Sequence, residues 1–245
     1  MTKSETSDLP SSADSWEPTN RSDLPFFLIM GGLSGCFVLL IVLLVAADVL
    51  FTSPDEFAKA LQKEEIQSAF WLTLFSCTMA TILSMWMGTP LGYLLSRYQF
   101  TGRWLVETVV DIPIVLPPLV LGISLLILFH QPIFGFVLDD LLQDGLGVAV
   151  PFQWPAVVLA QFSVSCAFVV RTMRVTFDQI NPRSEDVART LGCSRGRAFL
   201  EIALPQAWRG MVAAATIAWA RALGEFGPIL VFAGATRMRT EVLST

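Results

Sequence analysis

Arg221 and Glu225 lie four residues apart inside an apolar run, residues 211–234, where one face of a helix holds both. Ionisable groups at that depth are expensive, so each needs a partner or a task. Two readings fit. In one, the residues pair with each other, or with Asp111 of another apolar run, as a structural contact. In the other, Arg221 supplies positive potential to an oxyanion. Covalent chemistry fits poorly. The single histidine, His130, stands beside Gln131-Pro132 at a span end, and no G-x-S-x-G or H-E-x-x-H pattern occurs. No G-x-x-x-x-G-K-[ST] loop is present to cradle a nucleotide. Cys36, Cys77, Cys166 and Cys193 lack the paired spacing of a metal site, and three fall in apolar runs as small hydrophobes. Neither a catalytic residue nor a metal site is expected.

A second polar feature is EDVARTLGCSRGRAFLEIALP, residues 185–205, set between two of the most apolar parts of the chain. Its local grammar spells two short helices. Asn181-Pro182 gives an N-cap with proline at the first helical position, and Glu185 and Asp186 suit the positive helix end. Val187, Ala188 and Leu191 make one apolar stripe, and Gly192 is a left-handed stop. Ser194 caps the next helix, where Ala198, Phe199, Ile202 and Ala203 repeat the stripe before Pro205. Small residues at 188, 192 and 196 permit close approach of another surface, with Arg189, Arg195 and Arg197 at its rim. A loop folded back on its own bundle is equally consistent with this pattern. A nucleic-acid site is disfavoured, because no aromatic platform accompanies the charge.

The elements that position these residues follow from hydropathy. Of 245 residues, 53% are hydrophobic and 15% charged, well below the ~25% charge of soluble domains, and mean hydropathy is +0.60. Several runs reach the ~20 residues that cross a bilayer. The chain is expected to be an all-α membrane protein with five spans, at 26–50, 69–95, 105–129, 155–170 (extending into 171–175) and 211–234. Residues 1–25, polar and acidic, read as a disordered tail. Loops 96–104 and 171–210 carry arginine, seven of them in the second, whereas 51–68 and 130–154 are acidic. The arginine-bearing loops therefore face the cytoplasm, together with the N-terminus. Arg237 and Arg239 then lie on the disfavoured side, as the lead into a sixth span that the sequence does not contain. Pro113, Pro117, Pro118 and Gly122 interrupt the third span, and Gly224, Gly227 and Pro228 the last. Broken backbone at membrane depth is tolerated where it lines a cavity or is buried in protein; the alternative is a static packing kink.

Residues 186–205 resemble the EAA loop of ABC-importer permeases, E-A-A-x3-G-x9-I-x-L-P. Asp186-Val187-Ala188 stands for E-A-A, Gly192 follows three residues later, then Ile202 and Leu204-Pro205. Asp for Glu keeps the charge, and Val for Ala keeps an apolar contact. In the family this loop is the coupling helix that seats on a cytoplasmic ATPase. The resemblance therefore implies that Asp186, Val187, Ala188, Leu191, Gly192, Arg195, Ile202, Leu204 and Pro205 dock the ATPase. DIPIVLPPLVLGISLLILF (111–129) and WARALGEFGPILVFAG (219–234) are similar to molybdate/sulfate-type permeases, and the likeness covers roughly residues 69–245. It implies a type I importer bundle over 67–245, with the first helix at 26–50 outside it. Pro117, Pro118, Gly122, Arg221, Gly224, Glu225 and Gly227 would line a translocation path.

The expected function is the permease subunit of an ATP-driven importer of an oxyanion, molybdate first, then tungstate or sulfate. The chain itself binds no cofactor; ATP and Mg belong to a partner ATPase dimer. An extracytoplasmic solute-binding protein, a second permease copy and lipid complete the expected partners, in the cell inner membrane. Alternatives are a permease for polyamine, iron or thiamine, a passive channel, and an intramembrane enzyme.

Overall fold

The computed structural model describes residues 24–51, 62–132, 137–146, 150–234 and 240–244, which form helices and turns with no strand among them. Arg237, Arg239 and all but the last residues of the predicted 1–25 tail lie outside the described residues. The chain divides into two compact units, residues 1–58 and 59–245. In the first unit, α1 (Leu24–Phe51) is a 28-residue helix with no acidic residue in its first turn and no basic residue in its last.

The second unit is built around α2 (Glu64–Arg97), α6 (Trp154–Gln179) and α9 (Trp208–Leu223), which pack on one another. The contact faces of α2 and α9 are made mostly of small residues. On α2 the buried stripe is Ala69, Thr73, Ser76, Ala80, Ser84, Gly88 and Gly92, recurring every three or four positions. On α9 it is Ala214, Ala218 and Ala222. In lipid no hydrophobic gradient drives helices together, so close backbone approach and dispersion must do it. The bulky side chains Trp71, Phe75, Ile82 and Trp86 of α2 point outward. Two of the buried hydroxyls bond the backbone: Ser165 Oγ donates to the Ala218 carbonyl at 3.2 Å, and Thr73 Oγ1 to that of Ala69 at 2.6 Å.

The structure corrects several spans. The predicted third span, 105–129, is two helices, α3 (Arg103–Val115) and α4 (Pro118–His130), bent by 114°. The cause is the Leu116-Pro117-Pro118 sequence. A residue before proline is pushed out of the helical region, and Leu116 and Pro117 are both extended, with ψ of 138° and 135°. Neither proline has an N–H to continue the ladder. The predicted last span, 211–234, begins earlier, at Trp208, and breaks after Leu223. A π-helical turn, Ile229–Ala233, follows Pro228 and ends at Gly234. The fourth span, expected to extend into 171–175, runs on to Gln179, and Arg171 and Arg174 lie within α6. Within the predicted 130–154 loop, α5 (Leu138–Leu146) opens with Asp139 and Asp140. Among the described residues, three helices are long and apolar enough to cross a membrane, or four if the bent pair is one span, where the hydropathy predicts five. The difference comes from the helix breaks at Pro117 and Gly224, not from any loss of apolar sequence.

Candidate functional site

Two places hold the residues singled out by sequence. The first is the polar elbow between α6 and α9. Asn181 Oδ1 accepts the Arg183 N–H at 3.0 Å and opens α7 (Arg183–Thr190). The helix closes where Cys193 N–H reaches the Ala188 carbonyl at 3.0 Å and Gly192 N–H reaches that of Arg189 at 3.1 Å. Gly192 takes a φ of +93°, which an L side chain adopts only at a cost. Ser194 Oγ accepts the Arg197 N–H at 3.3 Å, starting α8 (Arg195–Ala198). A π-helical turn, Phe199–Ala203, and a short turn, Leu204–Gln206, carry the chain into α9. Pro205 sits in the first turn of that segment, where an amide hydrogen is not required.

The elbow presents two faces. Ala188, Ala198, Ala203 and Ala207 are buried, the last two in a cluster with Tyr93, Met173, Phe177 and Phe199. Val187 and Leu191, placed by sequence on the same stripe as Ala188, instead face outward with 58% and 83% of their surface exposed. The stripe splits because the face turned inward is the one that holds Glu185 and Ala188, and at 3.6 residues per turn Val187 and Leu191 lie round the helix from it. Around them Asp186 pairs with Arg189 at 3.4 Å and Arg197 with Glu201 at 3.1 Å. The Glu201 carboxylate hydrogen-bonds the Arg197 guanidinium and raises its already high pKa. Such exposed pairs contribute about 0–1 kcal/mol, so they order the rim more than they hold the fold. Gly192, Arg195 and Pro205 are exposed, while Ile202 and Leu204 are half-buried; Arg195 lies over the Tyr98 ring at 5.9 Å.

The second place is where the two broken spans cross. A Cβ on Gly122 would lie 2.9 Å from Pro228 Cα, and one on Gly227 would lie 2.9 Å from Pro118 Cβ, so glycine is the residue that lets these segments touch. Beside the crossing is a cavity of about 360 Å³ lined by Pro117, Pro118, Leu119, Arg221, Gly224, Glu225, Phe226 and Gly227. Six of the seven residues grouped by sequence share this cavity; Gly122 lies against Pro228 instead. Arg221 Nη1 stands 2.6 Å from Glu225 Oε1. The approach is oblique and the attraction mainly Coulombic, since Glu225 Oε1 makes no aligned hydrogen bond. Arg221 remains one-third exposed while Glu225 is buried, and the guanidinium rests over the Phe168 ring of α6 at 5.8 Å. Asp111 is not its partner. That carboxylate binds Arg171 of α6 at 2.9 Å, because α3 packs along α6. His130 is exposed at the end of α4, with its ring 6.2 Å from that of Phe152.

Sequence reasoning missed a polar knot behind the elbow. Glu185, taken as a helix-end charge, is buried: its Oε2 accepts the Tyr93 hydroxyl at 2.5 Å, and its Oε1 accepts Arg97 Nε–H at 3.0 Å. Arg97 Nη2 also donates to the Ile180 carbonyl at 3.0 Å. The partners stand 88 and 92 positions apart, so no local pattern pairs them. The one available signal was Arg97 ending an apolar span. Among the described residues no cluster of His, Cys, Asp or Glu is arranged to hold a metal ion.

Known proteins resemble both the chain and its fold. The sulfate transport system permease protein CysT of Escherichia coli (strain K12) is 31% identical over 230 residues, covering 92% of this chain and 82% of the relative. The molybdate/tungstate transport system permease protein WtpB of Thermococcus kodakarensis is 35% identical over 175 residues, 71% of this chain and 64% of that one. A chain in the crystal structure of a bacterial alginate ABC transporter, in complex with an alginate pentasaccharide-bound periplasmic protein, superposes with a TM-score of 0.68. It is 19% identical and covers 91% of this chain and 82% of its own. At that identity the likeness concerns the fold, a type I importer bundle. The family profile of the binding-protein-dependent transport system inner membrane component matches residues 88–244, a stretch that takes in the end of α2, both broken spans and the whole elbow. With helices joined through small residues, an exposed elbow and this match over more than half of its length, the multi-pass chain belongs to that family of transport permeases.

Proposed function

We propose that the protein is the membrane-spanning subunit of an ATP-driven importer that carries a tetrahedral oxyanion, with molybdate first and tungstate or sulfate as close analogues. The observation that carries the substrate class is Arg221, the cation among the residues lining the cavity at the broken helices. Its charge is half-neutralised and partly exposed, which suits an anion that must bind and then leave. The relatives named for sulfate and for molybdate/tungstate transport support the same class. Pro117, Pro118, Gly122, Gly224, Glu225 and Gly227 form the path around it. Asp186, Val187, Ala188, Leu191, Gly192, Arg195, Ile202, Leu204 and Pro205 form the docking elbow for a cytoplasmic ATPase, with Val187 and Leu191 as its exposed apolar contacts. ATP and Mg act on that partner, a solute-binding protein delivers the anion from outside, and two permease copies enclose the path. The elbow and the N-terminus then lie in the cytoplasm, in keeping with the arginine bias.

The test is uptake by proteoliposomes holding the permease, its ATPase and its binding protein. Molybdate uptake that sulfate and tungstate compete for is the expected result. Arg221→Gln is expected to lower kcat/KM at least tenfold, a loss of about 1.4 kcal/mol, without loss of ATPase association. Undiminished uptake by Arg221→Gln would remove the cavity from the path.

A further inference from the structure

The elbow is joined in sequence to α6 and α9, and motion imposed on it must reach at least those two helices. The knot of Tyr93, Arg97 and Glu185 adds a third attachment that the chain order does not provide. Glu185 belongs to α7 of the elbow and Arg97 to the last turn of α2, with side chains only 8% and 12% exposed. Arg97 bridges that carboxylate and the Ile180 carbonyl at the end of α6. Nearby, Ser96 Oγ donates to Asp178 Oδ1 at 2.6 Å, tying the same end of α2 to α6 again. The Tyr93 ring, meanwhile, sits 4.6 Å from that of Phe199 and 5.3 Å from that of Phe177. A charge-assisted contact that is this enclosed is stronger and more directional than an exposed one.

At its other end α2 holds a different part of the fold. Thr73 Oγ1 accepts the Leu243 N–H at 3.0 Å, and the same terminal segment places Ser244 Oγ on the Glu225 carbonyl at 3.0 Å. From Arg97 to Thr73 the helix rises about 36 Å at 1.5 Å per residue, a full bilayer thickness. α2 is therefore a rod gripped at one end by the elbow and at the other by the segment that braces the Arg221–Glu225 break.

We propose that Tyr93, Arg97 and Glu185 form a latch that makes α2 the lever by which movement of the elbow reaches the far side of the bundle. They are positioning residues, and the inference rests on the reading of the elbow as an ATPase dock. Without the latch the ATPase still seats on the exposed Val187–Leu191 face, but its stroke reaches α2 only indirectly, through the packing of α6 and α9 and the Ser96–Asp178 contact.

The experiment uses the assembled transporter in proteoliposomes and reads molybdate uptake per ATP hydrolysed, a ratio that protein yield does not move. Glu185→Gln removes the charge at constant shape. Tyr93→Phe removes only the hydroxyl and keeps the ring packed. The expected result is ATPase co-purification as in the unaltered protein, with uptake per ATP down about tenfold in Glu185→Gln and several-fold in Tyr93→Phe. The exchange Arg97→Glu with Glu185→Arg should recover part of the loss. Should Glu185→Gln fail to fold, Tyr93→Phe decides alone. A ratio within twofold of the unaltered protein in Tyr93→Phe, with the ATPase bound, overturns the latch. An ATPase that does not co-purify with the unaltered permease overturns the docking reading instead.

Discussion

Leu191 shows how one side chain separates folding from function. A leucine with 83% of its surface exposed at the end of an eight-residue helix contributes little to the bundle, yet exposed apolar groups on a charged rim are what a partner surface buries. Leu191→Glu is therefore expected to leave expression and thermal stability unchanged while lowering retention of the ATPase on an affinity column at least tenfold. Retention equal to that of the unaltered chain would separate Leu191 from the dock. Gly192, next to it, works in the opposite way: its +93° φ fixes the angle between α7 and α8, and side chains resist that conformation by about 1–2 kcal/mol. The spacing of Arg221 and Glu225 put them on one helix face but left Asp111 open as a partner. What that spacing could not reveal is that the guanidinium keeps an open edge on a cavity while the carboxylate does not.

At the scale of elements, the two broken spans depend on each other. α3 and α4 turn through 114° because two consecutive prolines withhold amide hydrogens, and the crossing closes because Gly122 and Gly227 leave room for Pro228 and Pro118. Restoring the ladder should relax the bend. Pro117→Ala with Pro118→Ala is expected to lengthen the distance between spin labels at Trp104 and Leu128, both exposed, as measured by pulsed dipolar spectroscopy, and to reduce uptake. An unchanged distance would mean that packing at Gly122 holds the bend without the prolines. The sequence announced a break here, since proline chemistry is local. The size of the angle was not legible, because it is set by what α4 packs against: the Ile229–Ala233 turn and α5.

The whole bundle rests on small residues brought together by three helices, and this makes it sensitive to added volume. Ala218 is fully buried and its carbonyl holds Ser165 of α6. Ala218→Leu should cost about 1–3 kcal/mol through overpacking, seen as a lower thermal midpoint in detergent. Ala220→Leu, on the exposed face of the same helix, should leave that midpoint unchanged. A similar fall in both would indicate a loss of helix integrity and not of packing. The same architecture gives Arg171 and Arg174 their partners. α6 carries them past the apolar run, where Asp111 and Glu107 of α3 meet them at 2.9 Å and 3.1 Å.

By itself the sequence determined the membrane character, the place of the elbow with its glycine stop and serine cap, the positions of both helix breaks and the placing of Arg221 and Glu225 on one helix face. Each of these depends on residues within a turn or two of one another, or on the summed apolarity of a run. Only the tertiary structure decided that Val187 and Leu191 turn away from Ala188, that Asp111 answers Arg171, that one cavity gathers two distant breaks, and that Glu185 reaches Tyr93 and Arg97. Those facts join residues tens of positions apart. Their energy comes from burial and charge pairing between helices, and these exist only once the contact faces of α2, α6 and α9 have met.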